Sequence, residues 1–123
     1  MTRPVNLDLT AFRFPIAAIA SILHRISGIV LFFGVGYLTY LLSLTLESPE
    51  SFDWVLRSLA STYHGFLVWV VLTAVAYHFF AGIRHLLLDF HIGISLSVSR
   101  ASAWTVLALT GVASISLGWW IVI

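Results

Sequence analysis

Three long stretches without a charged side chain constrain the fold of this chain more than any other feature. They cover residues 26–46, 58–83 and 101–123, so they contain 21, 26 and 23 residues. A helix needs about 20 mainly apolar residues to cross the hydrocarbon layer of a bilayer, and it satisfies its own backbone polar groups there. We therefore predict an all-α membrane protein, a single domain of residues 1–123 with three spanning helices near 24–46, 63–85 and 102–123.

The composition excludes several other classes of protein. Hydrophobic residues make up 60% of the chain and charged residues 9%, whereas a soluble domain has about 45–50% and about 25%. The net charge is only +1, with six arginines and no lysine, so we expect no nucleic-acid partner. Because the sequence has no cysteine, it cannot itself ligate an iron–sulfur cluster or attach a haem covalently.

Residues before the first span are predicted to be an arm on the soluble side, 1–13, followed by an interfacial segment over 14–23. Pro15 suits the start of that helical segment. The apolar run of this segment is too short to span, and Asp8 and Arg13 interrupt the order of a cleavable signal peptide. The loop between the first two spans contains the polar run 47–51 (ESPES).

The distribution of arginine predicts the orientation in the membrane. Five arginines flank the predicted spans on the side of the N-terminus, and only Arg57 lies in the first loop. Basic residues are enriched in cytoplasmic segments. We therefore expect a cytoplasmic N-terminus and a periplasmic C-terminus.

His78 is the ionisable residue that lies deepest in a predicted span. It precedes Arg84 by six residues, about 9 Å along a helix, and intramembrane ionisable groups are usually functional. The small residues Ala74, Ala81 and Gly82 share its helical face and leave a trough that a flat macrocycle could occupy, with His78 as axial ligand to iron. A neighbouring helix could fill the same trough and hydrogen-bond the imidazole. The sequence leaves both interpretations open.

A second polar cluster lies where the first span begins. Ser21, Arg25 and Gly28 follow i, i+4, i+7 spacing, so they share one helical face. A hydroxyl and a guanidinium about 6 Å apart along the axis suit a carbonyl or anionic oxygen such as that of a quinone head group. Alternatively, Arg25 anchors the helix to lipid phosphates and Ser21 bonds its own backbone.

These two clusters occur within longer runs that resemble the cytochrome b556 subunits of succinate dehydrogenase. The resemblance covers nearly the whole chain in order and length. It is carried jointly by S-x-x-H-R-x-S and H-x-x-x-G-I-R-H, which are far more specific together than either is alone. The matching runs are 3–9 (RPVNLDL), 14–15 (FP), 21–28 (SILHRISG), 76–85 (AYHFFAGIRH) and 89–90 (DF).

The resemblance implies a fold, partners and an activity. Members of that family form half of a heterodimeric anchor bundle in the bacterial inner membrane, together with a second small anchor subunit. The anchors hold an iron–sulfur subunit and a flavoprotein subunit at the cytoplasmic face. Succinate is oxidised on the flavin, and electrons pass through iron–sulfur clusters to ubiquinone. A b-type haem lies between the anchors. Because succinate is oxidised on the flavin of another subunit, this chain itself would not catalyse succinate oxidation.

The resemblance also implies roles for four residues. His78 corresponds to the axial ligand of the haem iron, Ser21 and Arg25 to residues that contact ubiquinone, and His24 and Arg25 to residues near the haem propionates. Because only one histidine lies at a suitable depth, we expect another chain to supply the second axial ligand and thus to share the haem.

Two departures and two alternatives accompany this interpretation. Leu88 stands where the family often has an aromatic residue or methionine, and His91 where it has a small residue; both lie past the second predicted span, so these departures concern docking rather than the haem. A fumarate reductase anchor would have a similar fold and site. A structural or transport membrane protein without haem is an alternative of a different class.

Overall fold

A computed structural model describes residues 15–123. Four α-helices and no strand occur within this range: α1 (Ile16–Thr45), α2 (Pro49–Leu59), α3 (Thr62–Asp89) and α4 (Leu96–Val122). Helices α1, α3 and α4 are each long and apolar enough to cross a membrane. The predicted all-α membrane fold with three spanning helices is therefore confirmed.

The first helix is longer than the predicted first span. It begins at Ile16 directly after Pro15, whose backbone is extended and whose carbonyl accepts hydrogen bonds from Ala18 and Ile19. No proline follows before Pro49, and the predicted interfacial segment and the first span form one continuous helix from residue 16 to its C-cap at Leu46. The predicted arm 1–13 and residue 14 lie outside the described residues. The point at which α1 enters the lipid stays a prediction.

Helix α2 is a short amphipathic element within the first loop. The polar run 47–51 begins it: the amide of Ser51 donates to Ser48 Oγ and the amide of Ser48 donates to Ser51 Oγ, both at 3.1 Å. This reciprocal arrangement is a capping box, and Pro49 occupies the first turn, where its missing amide proton is not needed. On its inner face, Val55 is 3% exposed.

Helix α3 lies at the centre of the bundle and packs antiparallel to both α1 and α4. Tyr77 donates its hydroxyl proton to the Ala20 carbonyl of α1 at 2.6 Å, and Trp69 donates its indole proton to the Ser114 carbonyl of α4 at 2.8 Å. In lipid, apolar surface gives little drive for association, so helices associate through close packing and polar contacts of this kind.

Close packing of α1 on α3 depends on Gly34. A Cβ built at Gly34 would lie 2.8 Å from both Cγ atoms of Val71, whereas a Cβ at Gly36, on the same helix, would meet nothing within 4 Å. Val71 is buried and branched at Cβ, so no rotation about χ1 moves both methyl groups away. The two glycines therefore differ in environment although they are only two residues apart.

This difference predicts opposite outcomes for two single-methyl substitutions. Gly34→Ala should lower the stability of the detergent-solubilised protein by about 1–3 kcal/mol, the usual cost of overpacking. Gly36→Ala should be neutral or stabilise by up to about 1 kcal/mol, because alanine is the better helix former. Thermal unfolding followed by circular dichroism measures both. Equal melting temperatures for the two variants would contradict the observed approach of α1 to α3.

Candidate functional site

His78 projects from α3 towards α1, where its ring contacts two successive residues. Its Nδ1 atom lies 2.9 Å from Ser27 Oγ, within hydrogen-bond distance. A Cβ at Gly28 would lie 3.4 Å from His78 Cε1, so the α1 backbone approaches the edge of the imidazole closely. The hydrogen bond to a neighbouring helix, which the sequence left open as one role of His78, is thus present.

The face of the His78 ring is covered by His24 of α1. The two ring centroids lie 4.1 Å apart and the ring planes differ by 12°, so the imidazoles are stacked. A Cβ at Gly82 would lie 3.7 Å from His24 Nε2, an ordinary van der Waals distance, so the second ring lies against this position of α3. The predicted trough of small residues is therefore partly filled by His24. Ala81 belongs to the packed core with Tyr77 and Val106 instead.

His85 adds a third imidazole to this end of the bundle. Its centroid lies 4.9 Å from that of His24, with the planes inclined by 50°. Among residues 15–123, no group of three or more histidine, aspartate or glutamate side chains is arranged to hold a metal ion. The three imidazoles are therefore not arranged as a three-ligand metal site in the described part of the chain.

Nε2 is the nitrogen of His78 that remains for a bond to a metal, because Nδ1 is engaged by Ser27. Histidines that ligate metals commonly use one ring nitrogen for the metal and hydrogen-bond through the other. The donor chemistry therefore fits an axial haem ligand. The bond to Ser27 and a role in binding iron are compatible with each other.

Ser21 and Arg25 lie on successive turns of α1, at the same end of the bundle as His24. Ser21 is half-buried and Arg25 is exposed. Their neighbours on the other face of α1 are tied to α3: Ala20 through its carbonyl to Tyr77, and His24 through its ring to His78. Packing against α3 thus leaves the Arg25 guanidinium on the outer surface of this chain, accessible to another molecule.

Arg84 occupies an interior position that the sequence did not reveal. It is 4% exposed and donates from Nε to Ser102 Oγ at 3.0 Å, and from Nη2 to Ser99 Oγ at 3.1 Å and to the Ser99 carbonyl at 3.3 Å. Hydrogen bonds from a charged donor are stronger than neutral ones. Arg84 therefore ties the end of α3 to the start of α4. The serines three residues apart on α4 were the only signal in the sequence.

His64 lies at the opposite end of α3, among aromatic side chains. Its Nδ1 atom lies 2.9 Å from the hydroxyl of Tyr37 on α1, and the rings of Trp54 and Tyr63 meet it edge-on. The more than twenty residues that separate it from His85 along α3 keep it away from the imidazole cluster.

Fold and site together define a class: a small multi-pass membrane protein in which ionisable side chains lie between antiparallel helices at one end. The sequence profile of the family described as succinate dehydrogenase/fumarate reductase transmembrane subunit matches residues 1–117. The chain belongs to this family. Three apolar helices and bacterial relatives fit a multi-pass protein of the inner membrane.

Individual relatives agree with this assignment. The chain is 45% identical over 122 residues to a succinate dehydrogenase cytochrome b556 subunit of Coxiella burnetii, covering 97% of this chain and 96% of the relative. It is 35% identical to the subunit of the same name from Paracoccus denitrificans, over 86% and 82% of the two chains. A mitochondrial cytochrome b560 subunit of Dictyostelium discoideum is also 35% identical, over 91% of this chain and 59% of the relative.

Proposed function

We propose that this chain is a membrane-anchor subunit of succinate dehydrogenase that binds a b-type haem through His78 and contributes Ser21 and Arg25 to the site of ubiquinone reduction. The observation that carries this proposal is the imidazole of His78, held between α1 and α3 with Nδ1 bonded to Ser27. The family assignment and the cytochrome names of the relatives support a haem at this position.

The stacked arrangement of His24 and His78 supports a ligand from another chain. The rings of His24 and His78 lie face to face with their centroids 4.1 Å apart, so there is no room for a flat macrocycle between them. His24 therefore cannot be the second ligand in this arrangement. It lies instead beside the first ligand, where it and Arg25 can interact with the propionates. A haem b shared with the second anchor subunit would supply one-electron transfer.

The quinone assignment rests on donor chemistry and on access. Arg25 carries a permanent positive charge and five N–H donors, and Ser21 carries a hydroxyl donor. Donors of this kind stabilise negative charge that develops on a quinone oxygen as it accepts electrons. The exposed face of Arg25 leaves room for the head group and for the iron–sulfur subunit that delivers electrons. The flavoprotein subunit would oxidise succinate. The N-terminus of the anchor would lie in the cytoplasm and its C-terminus in the periplasm.

Two alternative functions can be distinguished from this proposal. The family description covers fumarate reductase as well, but the relatives at 45% and 35% identity carry succinate dehydrogenase names, which favours succinate oxidation. A membrane protein without haem would also use the Ser27–His78 bond, as a packing contact. The optical spectrum of the assembled complex separates that alternative from ours.

Substitution of His78 tests the haem assignment. His78→Leu should abolish or strongly perturb the dithionite-reducible b-type absorbance of the purified complex, because leucine cannot bind iron. His91→Asn is the matched control, since His91 is exposed and has a positive φ of 59°, which asparagine tolerates. An unchanged b-type spectrum in the His78 variant would refute the assignment.

Substitution of Ser21 and Arg25 tests the quinone site. Ser21→Ala and Arg25→Leu should lower the rate of quinone reduction by about tenfold or more, as expected for loss of a hydrogen bond worth about 1.5–3 kcal/mol to a charged group. Reduction of an artificial dye at the soluble subunits should change little.

Ser43→Ala and Arg57→Leu, which remove exposed side chains near the other end of the bundle, serve as controls and should leave both rates unchanged. If the Ser21 and Arg25 variants lose quinone and dye activity equally, these residues support assembly rather than the quinone site.

A further inference from the structure

We propose that Ser27 is the positioning residue that fixes His78 in the Nδ1–H tautomer and thereby presents an unprotonated Nε2 to the haem iron. This inference rests on the proposed function and deepens it. The observation behind it is a chain of two hydrogen bonds that runs from the imidazole of α3 through one hydroxyl to the backbone of α1.

The direction of the two bonds follows from counting protons. Ser27 Oγ lies 2.7 Å from the His24 carbonyl oxygen, and a carbonyl can only accept, so Ser27 donates its single hydroxyl proton there. Ser27 Oγ also lies 2.9 Å from His78 Nδ1. With its proton already donated, the hydroxyl oxygen must accept, so Nδ1 carries the proton. In a neutral imidazole, Nε2 then holds the lone pair that binds a metal.

The surroundings keep this arrangement in one geometry. Ser27 is 6% exposed, so bulk water does not compete for its hydroxyl, and its acceptor belongs to the preceding turn of the same helix. The His24 ring stacks on the face of His78 at 4.1 Å while Ser27 holds its edge. One turn of α1 therefore restrains both the tautomer and the rotation of the imidazole.

A hydrogen bond donated by Nδ1 also changes the strength with which Nε2 donates electrons to the iron. When Nδ1 donates a hydrogen bond, Nε2 becomes a more basic ligand. A more basic ligand stabilises ferric over ferrous iron. Ser27 should therefore lower the midpoint potential of the haem. A side chain that only fills space would leave that potential unchanged.

The test compares two serine variants in the assembled complex. Ser27→Ala removes the acceptor of the Nδ1 proton. Ser43→Ala is its matched control on the same helix, because Ser43 is exposed and its Oγ donates to the Tyr40 carbonyl at 2.7 Å with the same three-residue spacing. We expect the Ser27 variant to bind haem with a higher midpoint potential and an altered low-spin ferric EPR signal, and the Ser43 variant to match the wild type in both.

Further variants distinguish failure of this inference from failure of the haem assignment. A wild-type potential and EPR signal in Ser27→Ala would overturn the inference, while the effect of His78→Leu on the spectrum would still decide the haem assignment by itself. If Ser27→Ala yields no haem-loaded complex, Ser27→Thr decides, because threonine keeps a hydroxyl that can bond the preceding turn of a helix. Restoration of the wild-type potential by threonine supports the inference, and failure to restore it contradicts the inference.

Discussion

The contact between α1 and α3 is the constraint on which the rest of this structure depends. In a bilayer the apolar surfaces of helices gain little by leaving lipid, so association relies on close approach and on polar contacts between helices. Here the approach is made at Gly34 against Val71, and the polar contacts between the two helices at the His78 end are Tyr77 to the Ala20 carbonyl and Ser27 to His78. The same contact that holds the helices together therefore also orients the proposed haem ligand.

Much of the fold could be predicted from the sequence because a simple physical requirement sets it. The lengths of the charge-free stretches, set against the thickness of a bilayer, predicted three helices long enough to span it, and the structure contains them. Helix α2 was missed because its start depends on a local capping box between Ser48 and Ser51 within a short polar run. The helical start next to Pro15 agrees with the prediction, but the continuity of that segment with the first span was not predicted, because charges, which bracket a span, do not mark where one helix ends and another begins.

The candidate site was predictable in part. Arg25 and His78 could be singled out because ionisable groups near or within lipid are rarely without a role. The stacking of His24 on His78, the hydrogen bond between Ser27 and His78, and the inward position of Arg84 could not be predicted. Each of these contacts depends on how two helices are rotated and shifted along their axes relative to each other. The periodicity of a single helix does not determine that arrangement. The resemblance to known cytochrome b subunits supplied residue roles without this geometry.

The central claim is that His78 Nε2 binds iron in a haem that this chain shares with a second anchor subunit. An experimental structure of the assembled complex in lipid tests it most directly. We expect the iron of a haem to be bound by His78 Nε2 and a residue of another chain to be its second protein ligand. An iron ligated by two residues of other chains, or a His78 ring that faces acyl chains with no porphyrin beside it, would contradict it.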